Sequence, residues 1–288
     1  MTRVADYLDL VRAPASLTVL GDALVGALSV SGPGGTGAAR KAALAASSVC
    51  LYSAGMALND WADADLDALE RPERPIPSGR IPRSRALAVG AALTALGVGA
   101  AFAGGRASGA VSLALAGSLW AYDLRFKPTP AGPAVMAVCR GLDVMLGAAG
   151  PGWRRALVPA GAVAAHTVAV TAVSRGEVVG STRATGRAAA VTSVAVAASG
   201  LLGGGVRVAA LLGGARYLSA VLPGQLALAR DPSAAQARDA TRAGIRAVVP
   251  LQQALAGRAG ALVATAALLA IETVGRLLAR RRSGGDIT

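Results

Sequence analysis

Between two apolar stretches runs a polar segment, Asn59 to Ala86, that reads NDWADADLDALERPERPIPSGRIPRSRA. Asp60, Asp63 and Asp67 stand at i, i+3 and i+7, and Asn59, Asp63 and Asp67 at i, i+4 and i+8, so a helix lines their oxygens along one face. Such a face repels itself unless a cation sits on it. Magnesium takes oxygen ligands at about 2.0–2.1 Å, commonly one or two carboxylates with substrate phosphates completing the shell. The chemistry implied is therefore capture of a phosphate ester through Mg2+ on Asp60, Asp63 and Asp67. Directly behind the acids come Arg71, Arg74 and Arg80, whose guanidinium groups suit nonbridging phosphate oxygens. Pro72, Pro75, Pro77 and Gly79 end the helix and fold the loop back as a lid. The spacing alone supports a second reading equally: a solvated loop whose acids and arginines neutralise one another.

The elements that must carry this loop are apolar. In 288 residues, 53% are hydrophobic, 16% charged and 3% aromatic. Blocks of about 20 residues match the length a helix needs to cross a hydrocarbon core. They fall near 15–31, 40–59, 85–104, 107–123, 131–150, 157–174, 187–204, 206–226 and 257–279. A water-soluble enzyme is excluded by this pattern, and a transmembrane β-barrel by its continuous, nonalternating blocks. The expected fold class is all-α, a polytopic membrane helix bundle of about nine spans around a central cavity. A shorter piece, 243–255, holds Arg246, Pro250, Gln252 and Gln253 and reads as a tenth crossing, a re-entrant piece or the start of a bent ninth helix. One integral-membrane domain over 1–282 and a polar tail at 283–288 are expected.

The net charge of +13 does not point to nucleic acid, because the arginines collect in short clusters between apolar blocks. Arg71–Arg85, Arg125 with Lys127, Arg175–Arg187 and Arg230–Arg246 all follow even-numbered blocks, which places those loops and the amino terminus in the cytoplasm of a bacterial plasma membrane. Arg154 and Arg155 fall on the outer side, and nine spans would put Arg280, Arg281 and Arg282 there too. The first dozen residues carry two acids and two arginines and no cleavable apolar core, so no secretory signal is expected. Cys50 and Cys139 lie inside apolar blocks and read as buried thiols.

The run Asn59-Asp60-x-x-Asp63-x-x-x-Asp67 followed by Arg71-Pro-Glu-Arg-Pro-Ile-Pro-Ser-Gly-Arg80 resembles the first signature of the UbiA superfamily of intramembrane prenyltransferases. Tyr122, Lys127 and Cys139-Arg140-Gly141-Leu142-Asp143 are similar to its second landmark. The third departs: where the family carries a second aspartate-rich motif, this chain reads Ser174-Arg175-Gly176-Glu177, a variant similar to the EboC-like branch. The resemblance covers nearly the whole chain. It implies a bundle of nine or so helices with polar caps at one membrane face, a diphosphate reached by Lys127, and Glu177 as the remaining ligand of a second metal position. It also implies transfer of a prenyl group from a prenyl diphosphate to a small-molecule or lipid acceptor that the sequence does not identify. The partners expected are thus a prenyl diphosphate and membrane lipid, with no nucleic acid and no obligate protein partner. Two alternatives are a terpene cyclase of the same superfamily and a noncatalytic membrane component that binds isoprenoid lipids.

Other polar residues inside the apolar blocks are costly in lipid and so face a cavity or a partner. Asp143 lies three residues after Arg140, a spacing that favours an internal salt bridge. Asp22 has no partner near it in sequence and is a candidate contact for an acceptor's polar groups. Asn59, Tyr122, Arg140, Asp143 and Arg175 complete the candidate substrate contacts. Arg12 and Arg175 also suit snorkelling at helix ends, His166 reads as a packed hydrogen bonder, and Trp61 and Trp120 as interfacial anchors more than stabilisers of a carbocation.

Overall fold

The computed structural model describes residues 3–30, 37–202, 206–266 and 268–270. All regular secondary structure among them is helical: α1 (Val4–Leu10), α2 (Ala13–Val30), α3 (Ala38–Ala62), α4 (Ala64–Glu70), α5 (Arg83–Ala103), α6 (Arg106–Ala121), α7 (Gly132–Ala148), α8 (Leu157–Ser174), α9 (Arg183–Ser199), α10 (Arg207–Arg230) and α11 (Ala234–Arg258). A π turn, Tyr122–Phe126, follows α6, and a 3-10 turn, Trp153–Ala156, precedes α8.

The expected apolar blocks up to 226 coincide with α2, α3 and α5 to α10; the block 257–279 begins in the last residues of α11, breaks at 259–261 and is helical again over 262–266 and 268–270, while 271–279, Arg280–Arg282 and the tail at 283–288 lie outside the described residues. Among the described residues, three helices are long and apolar enough to cross a membrane by length and composition: Ala38–Ala62, Arg83–Ala103 and Trp153–Ser174. Helices α6, α7 and α9 have 16, 17 and 17 residues. At about 1.5 Å per residue they reach roughly 24–26 Å, a little short of a 30 Å core. The piece 243–255 is the second half of α11, a continuous 25-residue helix with Pro250 inside it.

The chain forms two compact units, one up to Val168 and one from Ala169. In the first, α3 packs on α5, α6 on α5 and α7, and α2 on α7. The last of these contacts depends on glycine. A Cβ on Gly26 would lie 1.8 Å from the Val144 carbonyl oxygen, and one on Gly147 would lie 1.8 Å from that of Ala23. Small residues allow this approach where lipid supplies no hydrophobic drive between helices. Leu44, Leu51, Ala101, Leu115, Ala116, Cys139 and Leu146 form one buried cluster. A second cluster of Leu10, Ala57, Ile81 and Ala86, with Tyr7, Trp61 and Ile76 against it, pins the proline-rich loop to the ends of α1 and α3.

In the second unit, α10 packs on α9 and α11. Ala169, Val173, Ala189, Leu228, Ala237 and Ala240 form its core. Thr182 and Ser233 cap α9 and α11, each accepting a backbone N–H from the first turn.

Candidate active site

The acidic run does not form one unbroken helix. Asp63 sits at the joint between α3 and α4 with φ −86° and ψ 3°. Around that joint the acids separate. Asp60 and Asp67 are buried, and both accept hydrogen bonds from Nη1 of Arg74, which lies 3.3 Å from Asp60 Oδ1. Nη2 of Arg12 donates to the same Asp60 oxygen at 3.0 Å. Asp63 turns instead to Lys127, whose Nζ donates to its carboxylate. Asp65 is on the other side, 88% exposed and 3.2 Å from Arg83, whose guanidinium also stacks 5.5 Å over the Trp61 ring.

Arg12 does more than snorkel. It is the described non-glycine residue with positive φ, at 47°, between α1 and α2. That conformation costs free energy in an arginine, and it directs the side chain onto Asp60 rather than toward headgroups. A run of two helices separated by two residues in sequence gives no sign of this.

Lys127 is placed by the π turn. Its backbone N–H donates to the Tyr122 carbonyl at 2.9 Å, an i to i+5 bond that inserts one extra residue and re-aims the side chains that follow. The same turn sets Asp123 beside the acids, where Asn59 Nδ2 donates to Asp123 Oδ1 at 3.3 Å. Sequence reasoning passed over Asp123. The signal available was an acid between Tyr122 and Lys127 at the edge of an apolar block.

Several expected contacts lie elsewhere. Arg80 does not join the acids. It donates to Asp6 and Asp9 of α1 at 3.0 Å each and to the Glu73 carbonyl at 2.8 Å, closing the loop against the amino-terminal helix. The Arg3 backbone N–H at 2.8 Å and then Arg80 hold the Asp6 carboxyl below its ordinary pKa. Arg71 is exposed and makes no side-chain hydrogen bond or ion pair among the described residues. The internal Arg140 to Asp143 bridge is not formed: Arg140 Nη2 pairs with Asp22 on α2 at 2.8 Å, and Asp143 accepts the Ser48 hydroxyl at 2.9 Å. A partner on another helix lies nearer than one a turn away on the same helix. Arg175 and Glu177 belong to the second unit, at the end of α8; Arg175 is exposed, and the Glu177 carbonyl accepts Arg238 Nη1 at 2.6 Å.

A cavity of about 170 Å³ opens within the first unit beside the acids. Asn59, Tyr122 and Asp123 line one end, Tyr52, Gly55, Met56, Leu119 and Met136 its length, and Ser48, Leu115 and Asp143 the other end. Its walls suit an isoprenoid chain better than a polar ligand, as ligand pockets with few, placed polar groups do.

The carboxylate set suits a hard dication by chemistry, since Asp60, Asp63 and Asp67 offer only anionic oxygen. As arranged they do not converge: among the described residues no three His, Cys, Asp or Glu side chains are grouped to hold a metal. Each acid is neutralised by Arg12, Arg74 or Lys127 instead. Those cations are the groups a diphosphate would attract. Asp60, Asp63 and Asp67 are the residues that would hold such a dication, and Arg12, Arg74 and Lys127 the ones that would then be free to meet phosphate oxygens.

A UbiA prenyltransferase family model matches residues 19–247. A digeranylgeranylglyceryl phosphate synthase from Ignicoccus hospitalis is 37% identical over 128 residues, which is 43% of this chain and 39% of that protein. The chain thus spans about two fifths of that curated relative's length. In fold the chain is similar to a solved digeranylgeranylglyceryl phosphate synthase, with a TM-score of 0.69 at 17% identity over 90% of this chain and 99% of that one. It is also similar to a UbiA homolog from Archaeoglobus fulgidus bound to DMAPP and Mg2+, with a TM-score of 0.55 at 15% identity over 94% and 98% of the two chains.

Proposed function

The chain belongs to the UbiA prenyltransferase family, and from that premise we propose that it transfers a prenyl group from a prenyl diphosphate to an acceptor within the membrane. The observation that carries the proposal is the position of the clamp. Asp63 and Lys127 pair where Asn59 and Asp123 line the end of an apolar cavity, so a diphosphate held there has its hydrocarbon chain at the cavity. The similar A. fulgidus protein, bound to DMAPP and Mg2+, supports the same substrate class and ion.

In the transfer, the allylic carbon–oxygen bond breaks and its electron pair leaves with the diphosphate. The carbon then bonds to the acceptor's nucleophilic atom, which gives up a proton. Arg12, Arg74 and Lys127, joined by the exposed Arg71, hold the phosphate oxygens and stabilise the charge that builds on them. Magnesium on Asp60, Asp63 and Asp67, when bound, supplies Lewis-acid neutralisation of the leaving group. Tyr122 and Asn59 position the chain's first carbons, and the apolar walls exclude water that would quench the allylic cation. Arg175 and Glu177 are assigned by motif position alone. We place the acidic loop on the cytoplasmic face of a plasma membrane, because the arginine-rich loops follow alternate apolar blocks.

A second reading, a noncatalytic isoprenoid-lipid binder, draws on carboxylates that are already matched by side-chain cations. One experiment separates them. The full chain in vesicles is offered geranyl and farnesyl diphosphates with a native lipid extract, with and without magnesium, and products are resolved by mass. Magnesium-dependent diphosphate release with a prenylated lipid supports transfer. Release without acceptor, giving a hydrocarbon or terpene alcohol, supports cyclisation, and no release supports the binder.

A further inference from the structure

Among the described residues, every acid of the clamp is paired with a cation, whereas Asp123 is paired with none. It stands half-buried in the π turn, four residues before Lys127. Asn59 Nδ2 donates to its Oδ1 at 3.3 Å, and its second oxygen, Oδ2, accepts no hydrogen bond among the described residues. The charged groups that act on it are Lys127, Asp63 and Arg12, each already bonded to another side chain. With Asn59 and Tyr122, Asp123 lines the end of the cavity at which the clamp lies.

At about 170 Å³ the cavity is small beside ligand pockets of about 300–1,000 Å³, and it is half open. It therefore suits the reacting ends of two molecules rather than the length of their chains. A carboxylate oxygen on such an apolar wall calls for a donor. A prenyl chain has none to give, and neither has a carbon nucleophile, whereas a hydroxyl group brings an O–H. An amine fits worse. Near neutral pH it is an ammonium with no lone pair to attack carbon, and it would join three cations, Arg12, Arg74 and Lys127.

Resting on the prenyl-transfer reading above, we propose that Asp123 is the base of the reaction and that the acceptor is a lipid bearing a hydroxyl group. Asn59 holds Oδ1 and leaves Oδ2 for the acceptor's O–H. The allylic carbon–oxygen bond breaks and its electron pair leaves with the diphosphate. A lone pair of the hydroxyl oxygen forms the new bond to that carbon. The O–H bond then breaks, its electrons stay on the ether oxygen and its proton passes to Oδ2. A carboxylate is base enough for this step, because an alcohol oxygen bonded to a carbocation is strongly acidic until it loses its proton.

The test uses the full chain in vesicles with magnesium, a mixture of geranyl, farnesyl and geranylgeranyl diphosphates, and one of three native lipid extracts. One extract is untreated, one has its amines blocked by reductive methylation, and one is acetylated on hydroxyl and amine groups alike. Prenylated lipid is resolved by mass. The wild-type protein should form product from the first two and none from the third, an arm that needs no variant to fold. Product from the acetylated extract, or its loss on blocking amines alone, overturns the hydroxyl acceptor while transfer stands. No product from any extract defeats the transfer reading itself. Asp123→Asn still offers Asn59 an oxygen but replaces the base with an amide, and it should slow formation of prenylated lipid by about a hundredfold or more. Calorimetric binding of farnesyl diphosphate with magnesium should stay within about twofold of wild type, and Asp123→Glu, which restores a carboxylate, should recover part of the rate. Transfer by Asp123→Asn at the wild-type rate overturns Asp123 as the base. Binding that falls together with the rate overturns it too, because Asp123 then serves the ion or the diphosphate.

Discussion

Asp63 and Asp65 are two residues apart, yet their surroundings differ completely. Asp63 is paired with Lys127, while Asp65 is 88% exposed and meets Arg83 in solvent, where such a pair contributes little. Asp63→Asn should lower the rate of diphosphate release by about a hundredfold or more, and Asp65→Asn by less than about twofold; steady-state release of diphosphate measures both, and equal losses would contradict the geometry. Arg74 is 17% exposed and faces two acids that are 4% and 2% exposed. Removing it leaves buried Asp67 without its cation and Asp60 with Arg12 alone, so Arg74→Ala should destabilise the fold by about 3 kcal/mol in thermal unfolding in detergent. Unchanged stability would mean that the acids are solvated rather than clamped. These acids and Arg74 were legible in the sequence because α3 and α4 keep them within one loop. Arg12 and the Arg140–Asp22 pair were not, since contacts between helices far apart in sequence leave no periodic trace.

Two elements depend on features that local propensity does not show. Helices α2 and α7 touch through Gly26 and Gly147, where a methyl group would meet backbone oxygen. Gly147→Ala should therefore separate them at a cost of about 3 kcal/mol, read as a lowered unfolding midpoint. Because Val19 on α2 and Met136 on α7 both line the cavity, the same change should alter donor selectivity as well as stability. The second element is α1, held to the loop by Arg80. The folded pKa of Asp6 is depressed, so its stabilisation is complete above its ordinary value of 3.8 and is lost as pH falls through the lower folded value. The protection of the Val4–Leu10 amides, taken relative to the intrinsic exchange rate at each pH, should thus be high near neutral pH, lower below about pH 3, and low at neutral pH in Arg80→Ala. Equal protection in both proteins would show that the apolar contact of Leu10 alone holds the helix.

For the molecule as a whole, composition carried most of the fold. Continuous Ala, Leu and Val blocks mark α2, α3 and α5 to α10 because lipid requires every backbone group to bond within its own helix. The turns between them were less visible: the π turn at Tyr122–Phe126 has no proline or glycine within it, yet it decides where Asp123 and Lys127 point. The central claim concerns the acids and their cations: Asp60, Asp63 and Asp67 are the residues that would hold magnesium, and Arg12, Arg74 and Lys127 the ones that would meet a diphosphate. Its most direct measurement is calorimetric titration of farnesyl diphosphate into the full chain in detergent, with and without magnesium, for the wild-type protein and Asp63→Asn. The account predicts binding that needs magnesium in the wild-type protein and is weakened by at least about tenfold in the variant. Binding of equal strength with and without the ion, or in both proteins, would contradict it.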